Sequence, residues 1–414
     1  MLDLSLRIAE RLLAAGEGAA DVETAMLTVL RAYGRTDCEP QVTFTMISVS
    51  RQVGQHTAPV TITRTVRRRK PDYQRLVALY QLISQITRRP PDTDQARRDL
   101  DAIDAQRPPY PAWIHAFAPG VLAASASLLV SGRSDARAWI TFALAFLAAV
   151  AGSRLAAALA TLSLADFYLN AAAAVPAAAA GVGLALTGAG LGGSAVVTGS
   201  LFALFPGRTL VGAIEDGLTG FYLTAAARLL EVLFLVAGII IGVLAVLPAG
   251  VRLGAAFAPE GGFDHSLSSP VQIPAAAVLA ACLAIMVRTP RAILPATAVG
   301  GALAWTAFDL LAGTWDINPI AATGVAAFSA ALFGQCACLL RHLPPLPYIT
   351  GALGPLLPGS LLYTGVLGLG QGKIIDGVAD LSKAAATALA LAVGVGIASE
   401  TARLARTHLA VTRR

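Results

Sequence analysis

The sequence predicts a mainly α-helical, polytopic membrane protein: two five-helix inverted repeats preceded by a small α+β cytoplasmic domain. Three observations predict it. Of 414 residues, 56% are hydrophobic and 14% charged, with a mean hydropathy of +0.66, whereas soluble domains carry roughly 25% charged residues. The charge is also uneven: residues 1–110 hold 16 of the 31 Lys and Arg and 13 of the 25 Asp and Glu. Finally, Val197–Gly207 and Ile349–Gly359 are two copies of one pattern. They are identical at six of eleven positions, lie in apolar stretches and end in Pro-Gly, with Pro206 and Pro358 separated by 152 residues (358 − 206). A duplicated, interrupted hydrophobic segment in matching halves points to a secondary transporter and to its substrate site.

Residues 4–15 and 20–34 alternate apolar and polar at helical spacing, with Gly16 and Gly34 as stops. Residues 39–50 and 57–66 are rich in β-branched side chains and read as two strands. Helical spacing returns over 72–88 and 92–106, and Arg107–Pro111 leads into the bilayer. A span needs about 20 apolar residues. Ten are expected near 112–131, 137–153, 165–186, 192–206, 219–247, 271–288, 291–312, 319–340, 346–367 and 378–400. The expected domains are 1–110, 111–253 and 254–414.

Lys and Arg placement sets the orientation. With residues 1–110 inside, Arg154, Arg208, Arg288, Arg291, Arg341 and the tail residues Arg403, Arg406, Arg413 and Arg414 also fall inside. Arg133, Arg137, Arg252 and Lys373 fall outside. Both termini are then cytoplasmic. An odd number of spans per repeat inverts the second half against the first, which suits alternating access.

Other classes lack support. The net charge of +6 comes without a basic patch interleaved with aromatics, so no nucleic-acid partner is expected. The Arg67–Lys70 run faces anionic lipid or is a solvated loop. Cys38, Cys282, Cys336 and Cys338 give neither a disulfide framework nor zinc spacing, and Cys336 and Cys338 read as small buried thiols. The opening residues do not read as a signal peptide. Asp21 and Glu23 form a carboxylate pair without a nucleophile, and His56, His115, His265, His342 and His408 are scattered, so a membrane-bound hydrolase finds no catalytic set. Glu23 reads as a helix-terminus or interface residue. Gly16-x-Gly18 lacks the preceding strand of a dinucleotide or phosphate loop. No cofactor or metal is expected.

The stretch Gly16–Met26, with Val22-Glu23 on an amphipathic helix and Gly34 before a strand, resembles the amino-terminal signature of the threonine/serine exporter family. Ten spans with Pro-Gly after the fourth and ninth resemble that family too, and the likeness covers nearly the whole chain. It implies efflux of threonine and serine driven by the proton-motive force, in a multi-pass protein of the cell membrane. Some relatives are linked to dicarboxylate export, so a succinate-like substrate stays open. The partners implied are a small amino acid, protons and membrane lipid; a homo-oligomer is left open. The resemblance carries no established ligand residues onto this chain.

Ionisable groups at membrane depth cost roughly 2.5–3.5 kcal/mol each on insertion scales and so invite a functional reading. Arg228 and Glu231 in span five stand at positions equivalent to Asp380 and Lys383 in span ten, with the signs reversed. Either the four charges face one another across the repeats, matching a zwitterion and carrying a proton, or each pair neutralises itself along its own helix. Thr198 and Thr350, with Ser200, precede the breaks at Pro206-Gly207 and Pro358-Gly359. Unwound backbone and hydroxyls there can bind a polar ligand, or the hydroxyls bond back to their own helix. Substrate binding is therefore expected at Thr198, Pro206, Gly207, Arg228, Thr350, Pro358, Gly359 and Lys383, and proton coupling at Glu231, Asp380, Asp309 and Asp166. Asp166 shares a face with Asn170, and Asn318 is its repeat equivalent; Asp166 reads alternatively as an interfacial cap and Asp309 as an interhelical hydrogen-bond partner.

Overall fold

The computed structural model describes residues 1–52, 58–66, 69–187, 193–254, 270–341 and 343–411. Among the residues named above, His56, Arg67, Arg68, His265, His342, Arg413 and Arg414 lie outside these, as do the side chains of Arg406 and His408.

The amino-terminal part has its own core. Helix α1 (Leu2–Ala15) buries Leu4, Ile8 and Leu12 at helical spacing and ends on Gly16, whose φ of 102° closes the helix in the left-handed region. Helix α2 (Ala19–Ala32) follows after two residues. Three strands, β1 (Cys38–Val42), β2 (Met46–Arg51) and β3 (Val60–Thr65), form an antiparallel meander. The stretch expected as one strand over 39–50 is two: Thr43 turns the chain, its amide and hydroxyl both donating to the Met46 carbonyl. Helices α3 (Tyr73–Arg88) and α4 (Thr93–Asp104) complete the unit, each capped by an aspartate, Asp72 and Asp92. Arg64 on β3 pairs with Asp3 and Glu10 of α1 at 2.8 Å each, and Arg11 pairs with Asp104 of α4 at 2.6 Å. Such half-exposed pairs contribute about 0–1 kcal/mol each, so they fix the arrangement of elements that the apolar core stabilises.

Among the described residues ten apolar segments follow in the regions of the ten expected spans, and nine of them can cross a membrane if each bent pair counts as one span. Seven are long enough to cross a membrane, among them α5 (Ala112–Ser131), α6 (Ala136–Ala160), α7 (Asp166–Leu186), α10 (Tyr222–Leu244), α13 (Leu294–Asp309) and α14 (Pro319–Arg341). Helix α12 (Gln272–Met286) is shorter, α11 (Leu247–Arg252) extends α10, and α17 (Ile374–Val411) is the seventh long helix. The remaining two segments are bent pairs: α8 (Gly193–Phe202) with α9 (Gly207–Leu218), at 51°, and α15 (Leu346–Ala352) with α16 (Gly359–Gly370), at 43°. Leu147, Leu233, Phe234, Leu340 and Ile375 point outward, as lipid requires, and Trp113, Tyr168, Tyr222 and Trp315 are exposed at span ends, where aromatics settle at the interface. The chain is a multi-pass membrane protein.

The 152-residue offset reappears in the backbone. Gly207 and Gly359 both open a helix (359 − 207), and Tyr222 and Ile374 both open the next (374 − 222). Pro206 and Pro358 precede the breaks with nearly the same dihedrals, φ −71°, ψ 42° and φ −78°, ψ 48°. Gly220 and Gly372 turn the chain at φ 88° and 78°. Close helix packing is repeated too. A side chain at Gly242 would collide with the Ala171 carbonyl of α7, and one at Gly394 with the Gly324 carbonyl of α14. Small residues here let backbones touch where no hydrophobic drive separates helix from lipid.

Gly242→Val and Gly394→Val are therefore each expected to destabilise the membrane part by about 1–3 kcal/mol or more through overpacking. Gly183→Val, where a Cβ meets nothing within 4 Å, should be neutral. Thermal unfolding in detergent compares them; equal midpoints for all three would show that these glycines do not set helix approach.

Candidate functional site

Helix breaks free backbone groups that a membrane cannot solvate, and the two breaks lie against each other. A Cβ on Gly207 would strike Leu357, just before the second break, and a Cβ on Gly359 would strike Phe202, just before the first. Side chains at these two positions would have to displace Leu357 and Phe202. On one side of the crossing, facing the amino-terminal part, lies a cavity of about 1570 Å³, lined in part by Pro206, Gly207, Arg228, Glu231 and Thr350. A second cavity of about 340 Å³ is lined by Thr198, Ser360, Tyr363, Asp380 and Lys383.

The large cavity has a charged clasp at its roof. Arg228 of α10 and Asp216 of α9 are 5% and 1% exposed, and Arg228 Nη1 lies 3.1 Å from Asp216 Oδ2. Asp216 Oδ1 accepts the Ala19 amide at 2.9 Å, at the start of α2, and Arg228 Nη2 donates to the Glu17 carbonyl at 3.0 Å. The pair thus grips the Gly16–Ala19 turn, satisfying one of α2's free amino-terminal amides. A second attachment lies on the other half of the membrane part. The Tyr73 and Gln74 amides, opening α3, donate to the carbonyls of Val287 and Arg288 just past α12. Arg288 Nη1 reaches Asp72 at 2.9 Å, the Tyr110 hydroxyl donates to the Thr289 carbonyl, and the Tyr73 and Thr350 hydroxyls meet at 2.9 Å.

Beside the clasp, Glu17 is buried, and its carboxyl is pushed up to about 8, first by desolvation and then by Asp21; the Tyr80 hydroxyl opposes the rise. Asp21 faces the cavity and is also raised, by burial and by Asp216. Burial, with Arg228 nearby, lowers Arg69 to about 10. Arg69 does not face lipid: its guanidinium stacks 4.1 Å from the Phe44 ring and lines the cavity.

The four expected charges do not meet. Arg228 takes Asp216, and Lys383 takes Asp380 on its own helix at 3.1 Å, so the two sets line different cavities. The equivalence of position is intact, but each cation found a nearer carboxylate. Glu231 lines the large cavity, whereas Asp166, exposed at the start of α7, and Asp309, half-buried at the end of α13, line neither. Thr198 and Thr350 fall in separate cavities, and the Thr350 and Ser200 hydroxyls bond back to Leu346 and Val196 of their own helices. Pro358 and Gly359 stand at the crossing and line neither cavity. Of the neighbouring cysteines, Cys338 is buried but Cys336 is exposed. Glu215 and Asp216 escaped the sequence reading because they sit between two spans, where acids look solvated. Their adjacency, so close behind a helix break, was the available signal.

Apolar helices, two interlocked breaks and polar cavities beside them define a polytopic membrane transporter rather than an enzyme. The chain belongs to the threonine/serine exporter family: residues 3–249 match the model described as "Putative threonine/serine exporter" and residues 272–400 match "Threonine/Serine exporter, ThrE". It is 33% identical over 399 residues to the "Probable threonine/serine exporter" of Mycobacterium tuberculosis (strain ATCC 25618 / H37Rv), covering 94% of this chain and 74% of that protein. It is 25% identical over 402 residues to the "Threonine/serine exporter" of Corynebacterium glutamicum, covering 94% and 79%. No solved structure matches.

Removing either partner of the clasp leaves a buried charge unpaired. Asp216→Ala and Arg228→Ala are each expected to cost about 3–5 kcal/mol, with the double variant no worse than the worse single. Arg228→Ala with Asp380→Ala should be additive. Thermal unfolding of the three single and two double variants decides; additivity in the first cycle would dissolve the clasp.

Glu17 also gives a pH dependence. Its folded-state carboxyl titrates near 8 and its ordinary value is 4.5. Between those values the folded protein holds a proton that the unfolded chain has released, so stability falls as pH rises through that window. Glu17→Gln removes this contribution, and its thermal midpoint should fall less than the wild type's on going from about pH 5.5 to about pH 8. Parallel profiles would place Glu17 in a solvent-like environment.

Proposed function

We propose that the chain is a secondary active exporter of threonine and serine, driven by the proton gradient. In this reading residues 1–110 and the tail are cytoplasmic, the protein sits in the cell membrane, and residues 111–253 and 254–414 are inverted five-span repeats. The substrate binds between the repeats near the Pro-Gly breaks, at Pro206, Gly207, Arg228 and Thr350 on the inner side. Thr198 and Lys383 serve the outer side, and Pro358 and Gly359 hold the crossing. One observation carries the reading. Eleven of the fourteen residues lining the small cavity have an equivalent, 152 positions earlier or later, lining the large one; Thr198 and Thr350, Asp380 and Arg228, and Lys383 and Glu231 are among them. An inverted repeat puts equivalent positions on opposite faces, so one set of residues forms an inner and an outer vestibule with the crossing as the barrier. The names of the relatives, threonine/serine exporters, support these substrates.

The balance of charge supports a zwitterion over a dicarboxylate. Six arginines and six carboxylates line the large cavity, and an excess of cations would suit succinate. Glu231 and Asp380, one in each cavity, are favoured as proton carriers over Asp309 and Asp166, which line neither.

Efflux from loaded proteoliposomes tests the proposal. Threonine and serine should leave faster when a proton gradient is imposed, and succinate should not. Replacing Pro206-Gly207 or Pro358-Gly359 with Ala-Ala should cut efflux by at least about tenfold at equal protein level, because the regular helix then covers the break. Gradient-independent efflux, or normal transport by both variants, would sink the coupling or the site respectively.

A further inference from the structure

We infer that the large cavity holds a composite site for a zwitterionic α-amino acid, in which Glu17, Asp21 and Glu215 take the ammonium and Arg208 takes the carboxylate. The amino-terminal domain thereby supplies part of the transport site. This rests on the exporter reading and goes beyond it, because Arg228, the cation expected from sequence, is already held by Asp216 and the Glu17 carbonyl.

The argument starts from unpaired charge. Among the described residues, Glu17, Asp21 and Glu215 form no ion pair within 4 Å, although all three line the cavity and Glu17 is only 4% exposed. Arg208 lines the same cavity and likewise has no hydrogen-bond or ion-pair partner among the described residues. Its guanidinium lies against Gly16, where a Cβ would collide with it; the missing side chain and the φ of 102° keep that space open. Acidic groups and a guanidinium facing one cavity without meeting leave a gap that a ligand carrying both charges would bridge, its ammonium drawing the raised carboxyl of Glu17 into the ionised form. Buried charge is costly when uncompensated, so each end of such a ligand gains a partner.

Two further features point to the same ligand. Arg208 is the second residue of α9, whose amino terminus has no side-chain cap; the free amides and helix dipole there favour a carboxylate. The buried Arg228, 5% exposed, keeps its Nε without a partner in the same cavity. A metal ion is disfavoured as the cation, because no group of three His, Cys, Asp or Glu among the described residues has the spacing to hold one.

The test is equilibrium binding of radiolabelled L-threonine to the full-length protein in detergent, with two competitors. In 2,3-dihydroxybutyrate a hydroxyl replaces the ammonium, and threoninol lacks the carboxylate. Wild type should prefer threonine over each by on the order of 100-fold, since each analogue leaves charged groups unmatched. Glu17→Gln and Glu215→Gln should weaken threonine by about 10- to 100-fold and shrink its preference over 2,3-dihydroxybutyrate. Arg208→Gln should shrink the preference over threoninol instead. Asp21→Asn, a milder change at a more exposed carboxylate, repeats the first test should Glu17→Gln fold poorly, and Asp94→Asn on the outer surface should change neither ratio. Preference ratios are independent of the folded fraction. Wild-type ratios in the Glu17, Asp21, Glu215 and Arg208 variants, with wild type still exporting threonine, would overturn the composite site and leave the exporter reading standing. Wild type that neither binds nor exports threonine or serine would overturn both.

Discussion

The buried pair Asp216–Arg228 is the interaction on which the arrangement of the two parts depends. Two charges taken out of water repay their desolvation only with good geometry and further hydrogen bonds. Here much of the surplus capacity goes to the backbone of the Gly16–Ala19 turn, where Asp216 receives the Ala19 amide and Arg228 donates to the Glu17 carbonyl, while Arg228 Nε is left without a partner. The pair therefore does more than neutralise itself. It joins α9 and α10 to the amino-terminal domain, and it sets the roof of the large cavity at the place where the unpaired carboxylates gather.

The same domain is also fixed to the other half of the membrane part, through Tyr73, Asp72 and Tyr110 at Val287–Thr289 and Thr350. The two attachments differ in chemistry. The second combines backbone hydrogen bonds, the fully buried Tyr73 and an ion pair between the parts, Arg288 with the capping Asp72. In the first, the ion pair lies within the membrane part and reaches the domain through two backbone hydrogen bonds, beside the raised carboxyls of Glu17 and Asp21.

Much of this was legible beforehand. Charge density separated residues 1–110 from the rest, because lipid tolerates little charge. Pro206-Gly207 and Pro358-Gly359 marked the breaks, because proline ends the hydrogen-bond ladder and glycine leaves room for Leu357 and Phe202. The strand over 39–50 was misread as one because Thr43 turns the chain with a side-chain hydrogen bond that propensity does not reveal. The positions of the charge quartet are equivalent by sequence, but partners are set by proximity in space, and Arg228 pairs with Asp216 and Lys383 with Asp380.

The sequence by itself determined the membrane class, the apolar segments, the duplicated breaks and the more charged amino-terminal part, because each is written in local composition and in short-range backbone chemistry. Only the tertiary structure decided which charges pair, which cavity each threonine faces and that Glu17 reaches the membrane part at all. Those outcomes depend on distances between residues about two hundred positions apart, such as Ala19 and Asp216. No periodicity records such distances, and they exist only once the helices have packed.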